Sequence, residues 1–283
     1  MAQNLVTRFA PSPTGRLHLG HAYSAMLAHD LAKASGGQFL LRIEDIDAGR
    51  CRAEFVDGIA EDLRWLGLDW DGDIMAQSDR TDVYEAALRQ LIQEGLAYQC
   101  WCTRGEIAAS APQGGVAPLY PGTCKGRADP EDGRSYCWRL DVAAAVALMG
   151  RLMWHDAFAG DVEANPASLG DVIIARKDAA TSYHLAVTLD DAAQGVTDVV
   201  RGRDLFEATH IHRLLQAVLG LPTPRYHHHA LILDQTGQRL AKRRGSISLS
   251  NMREDGGDPL QLMSCMRRAR FPVGFAVEEA YLK

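Results

Sequence analysis

The chain is short of the features that mark several protein classes. No run of about 18 or more uninterrupted apolar residues occurs in its 283 residues, which argues against a membrane span and a membrane partner. The start, MAQNLVTRFAPSP, has no basic stretch followed by a long apolar one, so a secretory leader is not expected. A cytoplasmic protein is the expectation. There is no excess of positive charge: 30 basic against 36 acidic residues leave a net charge of -6, so any nucleic-acid contact must come from a local patch. Internal repeats and low-complexity tracts are absent. So are the two commonest phosphate-binding signatures, GxxxxGK[ST] and a GxGxxG after the first strand. What is present is ordinary for a globular chain, with 47% hydrophobic residues, which excludes disorder and a miniprotein stapled by disulfides.

The order of elements opens as strand, crossover helix, strand, the beginning of a parallel α/β domain. LVTRFA (5–10) reads as a strand, PSPTG as a tight turn, and residues from about His18 or Gly20 to Gly36–Gly37 as a helix. QFLLRIED follows as a second strand. Residues 54–66 and 82–94 read as amphipathic helices. Between 100 and 137 Gly, Pro and Cys dominate and periodicity disappears. Residues 138–154 are apolar without a clear period. DVIIARK reads as a strand, YHLAVTLDDAAQGVTDVVRG as strand, turn, strand, residues 209–219 as a helix, and HHHALILD as a strand. Four segments are expected: 1–98 and 171–250 as two halves of one catalytic domain, 99–170 as an insertion, and 251–283 as a short tail.

The stretch from Arg8 to His21 carries the most chemistry. Gly15 and Gly20 permit close backbone approach, and His18 and His21 share one face of a helix start. Exposed backbone N–H groups and imidazole donors there suit a phosphate. The competing reading is a turn that caps the first helix. The segment 237–245 sets Arg239, Lys242, Arg243 and Arg244 between two glycines. It can act as a mobile cationic loop on transferring phosphoryl charge, or as a solvated basic turn. Three of the six cysteines crowd into 100–124, a pattern that favours a metal site over disulfides. Cys100, Cys102 and Cys124 supply three thiolates for one zinc ion, and the residues alone suggest Cys137 as the fourth ligand.

These motifs resemble those of class I aminoacyl-tRNA synthetases. RFAPSPTGRLHLGH is similar to the HIGH signature of the glutamyl and glutaminyl branch, and Arg239-Leu240-Ala241-Lys242-Arg243 is similar to the KMSKS loop. The whole resembles the short glutamyl-Q tRNA(Asp) synthetases, paralogues of glutamyl-tRNA synthetase. The resemblance implies a Rossmann-like catalytic domain with a zinc-binding insertion. Only 40 residues follow Arg243, so no anticodon-binding domain is expected. His18, Gly20, His21, Arg239 and Lys242 would bind ATP, with His18, His21 and Lys242 as catalytic residues. Arg239 stands where a lysine is usual, and Ala241 where a serine is.

For the amino acid, Arg8 leaves the first strand, and Arg42, Glu44, Asp45 and Asp47 leave the second. An arginine suits a carboxylate, and Glu44 suits an ammonium group. The branch pattern YxxAVxxDDxxxGVTxVVRGxD, matched from Tyr183 to Asp204, adds Tyr183 and Arg201, and the first motif adds Ser12. Asp190 and Asp191 are expected to serve structure and positioning. The family's metal pattern, Cys-x-Cys then Tyr-x3-Cys, replaces Cys137 by Tyr120 as fourth ligand, giving one zinc per chain on Cys100, Cys102, Tyr120 and Cys124. The implied activity is ATP- and Mg2+-dependent activation of L-glutamate without tRNA. Glutamate then passes to queuosine in the anticodon stem-loop of tRNA(Asp), by a monomeric enzyme. Arg243, Arg244, Arg253, Arg267, Arg268 and Arg270 are candidate RNA contacts. The alternatives are a truncated glutamyl-tRNA synthetase charging a 3' end, and a degenerate zinc-stabilised RNA-binding protein. An adenylyltransferase with an HxGH turn would lack both the cysteine cluster and the Tyr183–Arg201 pattern.

Overall fold

The structure is a computed structural model that describes residues 4–109, 119–127, 133–234, 237–238, 240, 247–272 and 274–278. Its elements in chain order are β1 (Val6–Phe9), α1 (Leu19–Ala34), β2 (Gln38–Ile43), α2 (Ala53–Trp65), β3 (Met75–Ala76), α3 (Thr81–Gln93), β4 (Ala97–Cys100) and α4 (Arg104–Ala109). Next come β5 (Cys137–Leu140), α5 (Val142–Met149), β6 (Met153–Asp156), β7 (Gly160–Glu163), β8 (Ile173–Ala175), α6 (Tyr183–Ala193) and β9 (Asp198–Gly202). The chain continues through α7 (Ala208–Val218), β10 (Arg225–His229), β11 (Ile232–Asp234), α8 (Leu249–Glu254), α9 (Pro259–Arg267) and β12 (Phe275–Val277).

Parallel pairing builds the catalytic layer. β1 pairs with β2 and β2 with β3, while β10 pairs with both β9 and β6. β9 runs beside β1, where Thr197 N donates to Val6 O at 3.0 Å. All four residues of β1 are buried, including Arg8, as expected for a central strand of a sheet covered on both faces. A second sheet, β4-β5-β8, is antiparallel. Strand pairing cuts across the chain order: β6 lies within residues 99–170 yet pairs with β10, whereas β8 pairs with β5. Two large apolar clusters hold the helices, the first against the catalytic strands and the second against β5 and β8. One joins α1, β2 and α2 to Met263 and Met266 of α9, and the other joins α3, α5, α6 and α7.

Two sequence expectations need correction. YHLAVTLDDAA forms helix α6, not a strand. Leu185, Ala186, Val187, Thr188, Asp190 and Asp191 are all buried, so burial extends around the helix and its polar residues do not mark a solvent face. HHHALILD is two strands: the chain breaks after His229, and β11 turns away to pair antiparallel with β12.

Candidate active site and metal cluster

Ligands of open α/β sheets sit beyond the carboxyl ends of the strands. Here the ends of β1, β2, β9 and β10 surround a cavity of about 460 Å³. Arg8, Ser12, His18, Gly20, His21, Glu44, Tyr183 and Arg201 all line it. The structure thus brings three of the ATP candidates, His18, Gly20 and His21, together with the glutamate candidates Arg8, Ser12, Glu44, Tyr183 and Arg201.

The turn into α1 is held by its own histidines. His18 Nδ1 accepts from Gly20 N, and His21 Nδ1 accepts from His18 N, each at 3.1 Å. This is a capping box with imidazoles in place of hydroxyl and carboxylate. The rings lie 3.8 Å apart. Because backbone N–H groups donate to both Nδ1 atoms, each neutral ring carries its proton on Nε2. A Cβ on residue 20 would stand 3.1 Å from His18 Cε1, so glycine is what lets the ring fold over the helix start. Capping and phosphate binding are therefore compatible uses of one turn.

The amino-acid candidates rest on paired charges. Arg8 Nε and Arg42 Nη1 both donate to Asp191 Oδ1, at 2.9 and 2.8 Å. Arg42 also reaches Glu44 at 3.2 Å and is fully buried. Burial pushes Asp191 up, but the Arg8 and Arg42 guanidiniums outweigh it and hold the carboxyl below its usual range. Burial raises Glu44 against the pull of the same two arginines. Asp190, next along α6, accepts from Gln77, Arg80 and Tyr84 at 2.7–2.8 Å. Asp45 and Asp47 serve elsewhere: Asp45 accepts from Ser78, and Asp47 pairs with Arg50 and Arg176.

Sequence reasoning named Tyr183 beside Arg201 but missed the other groups that hold Arg201. Its guanidinium donates to His228, His212, Thr209, Leu205 O and Tyr183. His228 in turn bonds Asp156 at 2.8 Å, and His212 bonds His184 at 3.2 Å. His228 stood out in the sequence only as part of the His227–His229 run. Nothing local marked Asp156, 72 residues away.

Arg239, Ala241, Lys242, Arg243 and Arg244 lie outside the described residues. The shoulders of that segment are fixed beside the first turn. Leu240 N donates to Ile232 O at 3.3 Å, Leu249 N to Leu17 O at 2.9 Å, and Arg16 Nη1 to Ser250 Oγ at 2.6 Å. Ser248 forms an antiparallel bridge with His18. Of the arginines considered for RNA, Arg253 pairs with Glu61 and Asp62, and Arg267 with Asp30.

Cys100, Cys102 and Cys124 place their sulfurs within 4.8 Å of one another, a set able to chelate a metal ion. Tyr120 Oη accepts from Cys124 N at 2.7 Å, and the Arg139 guanidinium lies over the Tyr120 ring at 3.8 Å. Cys137 is buried in the same cluster but is not one of that set; its thiol bonds Cys100 O at 3.5 Å. No helix among the described residues is long and apolar enough to cross a membrane.

Residues 4–280 match the family described as tRNA synthetases class I (E and Q), catalytic domain. The chain is 51% identical to the glutamyl-Q tRNA(Asp) synthetase of Rhodobacter capsulatus, over 91% of this chain and 98% of that protein. It is 40% identical to the glutamate--tRNA ligase of Nitratidesulfovibrio vulgaris, over 98% of this chain and 60% of that protein. Among solved structures, a glutamate tRNA ligase from Elizabethkingia meningosepticum in complex with its amino acid superposes with a TM-score of 0.78 at 27% identity. That match covers 94% of this chain and 61% of the other. On this family match and these identities, the chain belongs to the class I tRNA synthetases of the glutamate and glutamine branch and is a ligase of the aminoacyl-tRNA synthetase type.

Proposed function

We propose that the protein activates L-glutamate with ATP and Mg2+ in the absence of tRNA, and transfers it to queuosine at the wobble position of tRNA(Asp). The observation that carries this reading is the single cavity holding both the His18–His21 turn and the Arg8, Glu44, Tyr183 and Arg201 set. The 51% identity to a glutamyl-Q tRNA(Asp) synthetase supports the choice of acceptor.

In the first step a glutamate α-carboxylate oxygen attacks the α-phosphorus of ATP and pyrophosphate leaves. The Nε2–H groups of His18 and His21 are suited to the phosphate oxygens on which charge grows, and a helix N-terminus favours the same charge. Lys242 would add a cation for the leaving pyrophosphate, and Arg239 a second positive charge. Glu44 would take the ammonium group, and Arg8 and Arg201 carboxylates. In the second step an acceptor hydroxyl attacks the glutamyl carbonyl and AMP leaves.

Zinc suits the cysteine cluster. Tetrahedral Zn–S bonds of 2.3 Å place sulfurs about 3.8 Å apart, near the 3.5 Å between Cys102 and Cys124. Cys100, Cys102, Tyr120 and Cys124 would hold the ion, in a structural role that stiffens the inserted sheet. Elemental analysis decides the fourth ligand. Tyr120→Phe should lose zinc and Cys137→Ser should keep it; the reverse pattern removes Tyr120 from the set.

The test of function has two parts. ATP–pyrophosphate exchange should depend on glutamate and proceed without tRNA. Labelled glutamate, after nuclease mapping, should sit on the queuosine nucleotide and be absent from tRNA(Asp) that lacks queuosine. Label at the 3' end would make the protein a tRNA-charging glutamate ligase, and no exchange at all would make it a non-catalytic RNA binder.

A further inference from the structure

An arginine side chain carries five N–H groups in a rigid fork and has no acceptor. In Arg201 every one of them has a partner. Nε donates to His228 Nε2 at 3.1 Å. Nη2 donates to Thr209 Oγ1 at 2.6 Å and Leu205 O at 3.2 Å. Nη1 donates to His212 Nδ1 at 3.2 Å and to Tyr183 Oη at 3.4 Å. The last is the longest and weakest of the set.

These donors dictate the tautomers around them. His212 Nδ1 must offer a lone pair, so its proton sits on Nε2 and is donated to His184 Nδ1, 3.2 Å away. His228 Nε2 must do the same, so its proton sits on Nδ1 and goes to Asp156 Oδ2 at 2.8 Å. Both rings are neutral and each is only 2% exposed. Burial, followed by the Arg201 charge, holds His212 well below its ordinary value, which keeps the lone pair available.

We propose that His212, itself held by His184, is a positioning residue of the amino-acid site: it fixes the Arg201 fork so that one N–H, the one now on the long Tyr183 contact, is what Arg201 offers to a substrate carboxylate. This rests on the reading of the cavity as a glutamate site. It implies a single-point contact from Arg201, with the fork's remaining hydrogen bonds spent on orientation. His212 touches no substrate and acts through Arg201 alone.

The geometry supplies its own controls. An asparagine at 212 can place Oδ1 where the imidazole Nδ1 lies and so keep the acceptor. A glutamine extends past that point and a leucine has no acceptor. ATP–pyrophosphate exchange, measured against glutamate and against ATP, should show glutamate KM roughly 10- to 100-fold higher in His212→Gln and His212→Leu, the usual effect of losing a buried hydrogen-bond partner. The KM for ATP should stay unchanged and kcat should fall less than glutamate affinity. His212→Asn should restore glutamate KM to within about threefold of the parent. Melting temperatures of the variants separate orientation from folding: Asn and Gln of matched stability should still differ in KM. Should leucine fail to fold, the Asn–Gln pair alone decides. Equal glutamate KM in that pair overturns the proposal. Arg201→Ala is measured alongside. A raised glutamate KM there, with normal His212 variants, removes only the positioning role. A normal KM there overturns the glutamate reading of the cavity and the proposal with it.

Discussion

His184 gives its Nδ1 to His212 and lies mostly buried, and burial followed by the Arg201 charge brings its pKa down to about 4. In an unfolded chain a histidine titrates near 6.5. Between these two values the unfolded chain holds a proton that the native protein refuses. The stability linked to this group is therefore complete above pH 6.5, falls as pH drops below it, and levels off beneath the folded value. At about 1.36 kcal/mol per pH unit, moving from pH 8 to pH 5 costs about 2 kcal/mol through His184 alone. This is an upper figure, because part of the ring is open to solvent. His212 and His228 are shifted in the same direction by burial and add losses of the same sign. Against a typical total of about 5–15 kcal/mol, such losses matter. Urea unfolding of the parent and of His184→Asn at pH 8 and pH 5 isolates the effect, since every other titrating group is common to both. The acid-induced loss should be smaller in the variant by about 2 kcal/mol, or roughly 1 M in the urea midpoint. Equal losses in the two proteins would refute the argument that His184 is held neutral.

Gly20→Ala places a methyl group 3.1 Å from His18 Cε1. Displacing the ring should cost about 1 kcal/mol of cap stability by thermal melting and lower the kcat of exchange by roughly 10- to 100-fold; unchanged kcat would remove His18 from catalysis. Asp191→Asn leaves Arg8 and Arg42 buried without their shared counter-charge. It should cost about 3–5 kcal/mol in urea unfolding, and a loss below about 1 kcal/mol would show that the two arginines find other partners.

What could be read from the sequence was what is local. The His18–His21 turn is built by residues three apart, and the structure closes it with bonds among those same residues. The cysteine set is similar: Cys100, Cys102 and Cys124 span a short stretch, and their sulfurs meet. β1, α1 and β2 are a helix and two strand runs set off by turns, and they fall within two or three residues of their expected ends. α6 escaped because its surroundings are protein on all sides, which erases the helical period. The Arg201 shell escaped for another reason. Its members come from α6, α7, β6, β9 and β10, and their pairing is a property of the packed sheet. No spacing in the chain encodes that Asp156 will meet His228.

The neighbouring carboxylates of Asp190 and Asp191 bear on how the chain can be born. Arg8 and Arg42 leave the ribosome 183 and 149 residues ahead of Asp191, and Gln77, Arg80 and Tyr84 precede Asp190 by 113, 110 and 106. At about 5–20 residues per second, the carboxylate that Arg42 shares with Arg8 arrives roughly 7 to 30 seconds after Arg42 itself. During that interval Arg8 and Arg42 have only Glu44 between them, so closing the first strands would seal one cation away from water without a counter-charge, a cost of several kcal/mol. The nascent amino-terminal third is therefore expected to stay open until the turn of α6 that carries Asp191 emerges. Pulsed proteolysis of stalled ribosome complexes should find it cleavable up to that length and protected soon after.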